Sequence, residues 1–477
     1  MKTKFNLSHY KNFTCDQGQL IPTHVQEVLP GDLQQHSVES LIRVAPLLTP
    51  VMHPVKAKTY SFYVPSRIIW EDWEDFITGG DDGNDASVFP QITLTATEKS
   101  LADYMGIPLG TSYAVNALPF RAYALIWNEY FRDQDLQTEL TIDLTSGADT
   151  TTNTTLQYKC WEKDFFTTCR ATEQKGDDVT LPLGTSAPIR AYATSGNLHI
   201  KDNDGNNRLM TVNPAGNPFQ FTTTGTGTGM VADLTSASSA TINQLRTAFA
   251  EQRFKEARSR YGNDYREYLK WLLGPGFQID SRLQKPEYLG GGSASLSFSE
   301  IIQNGPDYDS NDGVGTIRGH GISALRSNRY KKFFPEHGYV ITLQCVLPKT
   351  MYSQGLNHMW SKTSKEQFFQ KEYEHTGQRA VLNKEVYLAH TTPEGTFGYQ
   401  DLYDEYRQIG NSVAGEFHST LNQWHMARNF ASDPSLNATF VKSNPTDRIY
   451  ASTTTNELQI MAYHSIQSRR LLSKRSR

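Results

Sequence analysis

Chemistry is sought first where acids, aromatics and glycines cluster. Trp70-Glu71-Asp72-Trp73-Glu74-Asp75 joins aromatics, which stack on sugar rings, to paired carboxylates of the kind that cleave glycosidic bonds. Adjacent acids on a helix do not face each other across a scissile bond. Helical spacing instead turns Ile69, Trp70, Trp73, Phe76 and Ile77 inward and leaves the four acids in solvent. Asp202 to Asn206 and Asp307 to Gly313 have the look of calcium loops. Their glycines fall at the fourth and seventh positions, not the sixth, and neither has Glu at the twelfth. They read as polar turns. Gly290-Gly291-Gly292-Ser293 lacks the Gly-Lys-Ser/Thr of a phosphate loop. The thirteen histidines are dispersed, with no H-E-x-x-H, and no serine sits in a G-x-S-x-G turn. Cys15, Cys160, Cys169 and Cys345 form no C-x-x-C pair, which excludes a zinc ribbon or thioredoxin motif and suits a reducing cytoplasm. No enzyme, metal or cofactor is expected.

The charge distribution is more telling than its sum. Net charge is -4, yet the last nine residues hold Arg469, Arg470, Lys474, Arg475 and Arg477 and no acid. Removing those five charges leaves -9 on the body of the chain. Lys2, Lys4 and Lys11 precede the first acid, Asp16. Both termini are basic and the body is acidic. On charge alone, the carboxyl end suits a solvated tail.

At 477 residues the chain has length for roughly three domains and a sizeable core. Aromatics at 11% contradict the disorder that a mean hydropathy of -0.54 would suggest. No apolar run reaches the ~20 residues of a membrane span, and the amino terminus lacks the apolar segment of a signal peptide.

The elements that would position any site begin as strands between prolines. Thr59 to Val64 puts Tyr60, Phe62 and Val64 on one face, and Ile68 to Ile77 reads as a short amphipathic helix. A second helix is expected over 118–135, starting at Leu118-Pro119, and a polar hairpin or loop over 138–155. Residues 184–240 are built from Gly, Ser, Thr, Asn, Asp and Pro. So long a polar stretch predicts a functional insertion with some strand content, projecting from the surface. Thr241 to Leu273 carries the longest helical pattern, with Gly262-Asn263 a possible break. Ile341, Leu343, Cys345 and Leu347 share one face of a later strand, and Leu458 to Ile466 forms a last one. Strands at both ends without a βαβ rhythm predict an antiparallel β-sandwich with expanded connections.

Several segments, in order, resemble the major capsid protein of the Microviridae, the small single-stranded DNA phages, in their gokushovirus-like branch. They include Phe5-Asn6-Leu7-Ser8-His9, Val28-Leu29-Pro30-Gly31-Asp32, Phe62 to Arg67, Leu118 to Tyr123 and Trp127 to Asp133. Asp164 to Thr167 leads into the family's variable insertion and Thr241 to Arg246 out of it. Arg282 to Gly292, Glu336 to Tyr339, Gly355-Leu356-Asn357 and Phe397 to Gln400 extend the likeness over roughly 450 residues.

The resemblance implies an eight-stranded antiparallel jelly-roll β-sandwich over 1–477, forming pentamers and then a T=1 shell of sixty copies around circular single-stranded DNA. It implies that 184–240 projects at the threefold axes toward the host, making Asn203, Asp204, Asn206, Thr224, Thr226 and Thr228 candidate host-facing residues. The basic carboxyl end, 465–477, departs from the apolar, proline-bearing ending expected of the family. Inside a shell, Lys2, Lys4, Arg469, Arg470, Lys474, Arg475 and Arg477 become candidate DNA contacts, binding phosphate without reading sequence, with an inter-subunit arm or a disordered tail the alternatives for the carboxyl end. Implied partners are the chain itself, the packaged DNA, a scaffolding protein, a DNA pilot protein, a small basic DNA-binding protein and a bacterial surface receptor. The chain would be made and assembled in the host cytoplasm and reside in the virion. The rival expectation is a carbohydrate-binding or glycoside-cleaving β-sandwich, which requires an open aromatic groove and carboxylates from separate strands.

Overall fold

Alternating burial along the first strands places one face of each against a core. The computed structural model describes residues 3–80, 85–176, 192–194, 197–201, 207–210, 242–261, 284–305, 313–374 and 377–473. The chain opens with β1 (Thr3–Asn6), β2 (His9–Cys15), β3 (Ile21–Val28), β4 (Leu33–Val44) and β5 (Val55–Pro65). Along β4, Gln34, His36, Val38, Ser40, Ile42 and Val44 are buried and the residues between them turn toward solvent. Next come α1 (Trp73–Thr78), β6 (Gln91–Leu94), α2 (Leu101–Met105), β7 (Tyr113–Asn116) and α3 (Leu118–Tyr130).

Residues 173–271 form a compact unit of their own. Here β8 (Tyr192–Thr194), β9 (Asn197–Lys201) and β10 (Asn207–Met210) make a three-stranded antiparallel meander, followed by α4 (Ile242–Tyr261). The strand content expected of 184–240 is present in these three strands. Asn203, Asp204, Asn206, Thr224, Thr226 and Thr228, and the expected helix beyond Tyr261, lie outside the described residues.

The other unit comprises residues 1–172 and 272–477. It continues with β11 (Glu287–Ser295), β12 (Ser297–Ile302), β13 (Ile317–Arg326), β14 (Tyr330–Phe333), β15 (Gly338–Pro348), β16 (Gln378–Leu382), β17 (Thr396–Asp401) and β18 (Leu458–Arg470). One sheet runs β1-β18-β4-β13-β12, with β2 also on β18 and β14 also on β4. The second runs β11-β5-β15-β3. Every pairing in the two is antiparallel. The sandwich has seven and four strands among the described residues.

Ile42, Val44, Leu325, Leu458 and Ile460 of the larger sheet meet Ile21, Val55, Ala57 and Val346 of the smaller one in the inter-sheet core. Strand β15 is buried along its whole length because a second core covers its other face. Ile341, Leu343, Cys345 and Leu347 share that face, as their spacing predicts, and pack with Phe62, Val64 and the α3 residues Leu118, Phe120, Tyr123, Ile126 and Trp127. Full burial of each such aliphatic or aromatic side chain is worth ~1.5–3 kcal/mol. Pro22 is tolerated because β3 lies at a sheet edge, with a register shift opposite it at Thr342/Leu343.

Two local expectations change, those for Ile68–Ile77 and for the tail, and the glycine run finds its place. The helix expected over Ile68–Ile77 is a 3-10 turn at Ser66–Ile68 followed by six-residue α1, which ends on left-handed Gly79. Ile69 and Trp70 are fully buried, whereas Phe76 and Ile77 are exposed, because so short a helix presents no continuous stripe. The glycine run 290–292 lies inside β11: a Cβ on Gly291 would stand 2.1 Å from the Thr59 carbonyl oxygen. The expected tail from 465 is strand as far as Arg470, since alternation of buried Ile466 and Ser468 with outward residues continues that far. The 138–155 segment is a loop held by Asp143, Asp149 and Asn153, whose side-chain oxygens accept backbone N–H bonds from residues just ahead. No described helix is long and apolar enough to cross a membrane.

Candidate nucleic-acid interface

In an antiparallel sheet, residues in register share a face. The outward face of the seven-stranded sheet is therefore a grid of rows. Lys4, Arg469, Leu33 and Phe333 form one row, and Asn6, Gln467, Gln35 and Lys331 the next. Further along lie Tyr10, Tyr463, Glu39 and Arg326, then Asn12, Met461, Leu41 and Ala324. Thr14, Gln459, Arg43 and Ile322 follow, and Arg318 and His320 extend the face onto the β12 side.

The face carries Lys4, Arg43, Arg318, Arg326, Lys331 and Arg469, all exposed, against the single carboxylate of Glu39, which pairs with Arg326 at 3.2 Å. Between them lie the neutral hydrogen-bonding side chains of Asn6, Asn12, Thr14, Gln35, Gln459 and Gln467, interspersed with apolar ones such as Ile322, Phe333 and Met461. The exposed Tyr10 ring lies 4.6 Å from that of Tyr463. Spread cations neutralise a phosphate backbone without reading sequence, and exposed aromatic rings offer a surface on which unpaired bases stack.

Of the predicted DNA contacts, the structure brings Lys4 and Arg469 together. Arg470 points the other way: its guanidinium pairs with Asp32 at 3.0 Å and donates to the Glu27 carbonyl at 3.2 Å. Alternation by one residue is the reason. Lys11 also turns inward, donating to the Pro22 carbonyl at 2.9 Å and to that of Tyr104, and its burial lowers its pKa to about 8. Lys2, Lys474, Arg475 and Arg477 lie outside the described residues. Arg43, Arg318, Arg326 and Lys331 were missed, because they are spread over three strands and form no run in sequence. The two-residue alternation of β4 and β13 could have found the first three.

The Trp70–Asp75 run does not build a sugar groove. Trp70 is fully buried, with its indole N–H given to Ser146 Oγ at 2.9 Å, and Trp73 packs against the His337 ring at 5.4 Å. Trp70 offers no face to a sugar, and Trp73 is half-buried. Among the described residues, no group of three or more His, Cys, Asp or Glu side chains is placed to hold a metal ion.

The described residues build a two-sheet antiparallel sandwich whose larger sheet presents a broad basic face. Comparison with known proteins makes this specific. The family described as capsid protein (F protein) matches residues 1–476. Capsid protein VP1 of Bdellovibrio phage phiMH2K is 34% identical, over 93% of this chain and 88% of its own. Capsid protein VP1 of Chlamydia phage 1 is 33% identical, over 94% and 91%, and that of Spiroplasma virus 4 is 29% identical, over 93% and 88%. The chain belongs to the capsid protein (F protein) family, and the resemblance to the Microviridae major capsid protein holds. It is a structural component of a phage virion, not an enzyme.

Proposed function

We propose that sixty copies of the chain, assembling by way of pentamers, close a T=1 shell of jelly-roll subunits around circular single-stranded DNA, with the outer face of the seven-stranded sheet turned to the genome. The observation that carries this reading is the exposed row from Lys4 to Arg469, continued by Arg43, Arg318, Arg326 and Lys331, on a chain whose net charge is negative. Cations gathered on one face of an otherwise acidic protein suit a polyanion, and their spread over five strands suits a flexible strand better than a groove-bound duplex. Residues 184–240 would project outward and meet a bacterial surface receptor. Scaffolding, DNA pilot and small basic DNA-binding proteins of the same phage would assist assembly in the host cytoplasm.

Native mass across a salt series, with nuclease challenge, tests the reading. Five copies of 53.8 kDa give about 269 kDa and sixty about 3.2 MDa. The larger species should protect DNA from nuclease, and replacing Arg43, Arg318, Arg326 and Lys331 by Gln should reduce the DNA it retains. A strict monomer with scaffolding protein present, or full retention by the variant, overturns it.

A further inference from the structure

Beneath the basic face, between the two sheets, lies a group of side chains that the proposed function leaves unassigned. His9 of β2, His24 of β3, His36 of β4 and His464 of β18 meet between the two sheets. His36 Nε2 and His464 Nδ1 are 3.0 Å apart, and His24 Nδ1 and His9 Nε2 are 3.3 Å apart. The His9 ring stacks on that of His464 at 5.0 Å and lies 5.0 Å from that of His24. His24 and His464 stack at 5.1 Å.

Each of the two nitrogen–nitrogen contacts requires one ring to donate and the other to accept. A pair with both rings protonated has two N–H groups pointing at each other, so the contacts exist only while at least one ring of each pair is neutral. Burial and the neighbouring rings hold His24 well below its ordinary value, burial above all holds His36 at about 3, and burial and His36 hold His464 at about 2. The surrounding charged and titratable groups offer no relief. Lys11, from β2, disfavours charge on His464 and itself faces Asp103 of α2. Tyr330 of β14 meets His36 Nδ1 at 3.1 Å, and Asp32, ahead of β4, is engaged by Arg470 of β18. Glu27 of β3 stands exposed at the rim of a cleft of about 530 Å³ that also reaches His9, His24 and Arg470. That cleft admits water and protons to the cluster.

We propose that the four histidines form an acid-operated latch on the amino-terminal strands: uncharged, they fasten β2 to the sandwich, and protonated, they let β1 and β2 leave the sheet edge. Strands β4 and β18 each have partners on both sides, while β2 pairs with β18 alone and β3 with β15 alone. Strand β2 is the element that yields because its side chains are buried only at Cys15, whereas β3 is buried from Ile21 through His24. The sign follows from linkage. A histidine kept neutral in the fold adds full stability above the free value near 6.5 and loses it as pH falls, favouring the open form tenfold per pH unit for each of His24, His36 and His464 that opening frees. Release would also carry Lys4 off the basic face.

Hydrogen exchange of the full chain, corrected for intrinsic rates, reads this out at pH 7 and pH 5. Protection over residues 3–15 should fall at least tenfold relative to β15, and His9→Gln/His464→Gln, which leaves His24 and His36 in place, should make that fall at least threefold smaller. An unchanged ratio, or an equal fall in the variant, overturns the proposal. Should the variant not fold, proton uptake through the wild-type acid transition decides: two or more protons support the latch, and fewer than two overturn it.

Discussion

Lys4 and Arg469 stand directly opposite each other across the β1–β18 ladder, both exposed and both on the outward face. Like charges in direct cross-strand register destabilise a sheet by a few tenths of a kcal/mol or more. A polyanion laid across the row would offset that cost. The double change Lys4→Gln/Arg469→Gln should therefore leave the free chain equally or slightly more stable in denaturant, yet weaken single-stranded DNA binding. The slope of log affinity against log salt should fall by about 1.4, from ~0.7 for each cation removed.

The Arg121–Asp149 pair ties α3 to the 138–155 loop with neither side chain exposed. The guanidinium meets the carboxylate at 2.8 Å and also donates to the carbonyls of Ile69 and Thr145. Removing one partner leaves a buried charge uncompensated. Asp149→Ala should cost about 3–5 kcal/mol, measured as a lowered denaturant midpoint, and Arg121→Met/Asp149→Leu should cost less than the sum of its parts.

Glu457 is half-buried and accepts the Gln17 N–H at 2.9 Å. Burial, with Asp16 and Asp447 nearby, raises its carboxyl to about 7. A raised carboxyl holds its proton in the fold, so its contribution is greatest below pH 4.5 and is lost as pH climbs through 7. Glu457→Gln should be near neutral at pH 4.5 and stabilising by about 1–3 kcal/mol at pH 8, read from thermal or denaturant unfolding at both pH values.

Gly291 and Gly292 let β11 lie against its neighbours. A Cβ at Gly292 would come 2.5 Å from Ser327 Cα, and one at Gly291 meets backbone oxygen closer still. Gly291→Ala should cost more than about 2 kcal/mol, or abolish soluble expression, whereas alanine at Gly313, which has open space around it, should be nearly silent in the same assay.

Much of the sandwich was legible because period-two burial leaves a mark in sequence. Phe62 and Val64, Ile341 to Leu347, and Leu458 to Ile466 all lie where alternation puts them. The α3 helix starts at Leu118 as Pro119 predicts, though it ends at Tyr130, short of 135. The site was legible only in part. A run of arginines is visible in sequence, but which of Arg469 and Arg470 faces outward depends on register, and register depends on partners hundreds of residues away. Arg43 and Lys331 gain meaning only when β4 and β14 are laid beside β18. The histidines, dispersed in sequence, converge for the same reason.

Strand β18 pairs with β4 over twelve residues and with β1 and β2 on its other side. The strands that close the larger sheet thus come from the first 44 and the last 20 residues of the chain. During synthesis, β1, β2 and β4 emerge early and must wait for residue 470 before their shared partner exists. Loop closure over that span makes folding slow and leaves strand edges open to wrong pairings in the interval. A chain that stops before β18 has no finished sheet and lacks the Arg469 that stands opposite Lys4.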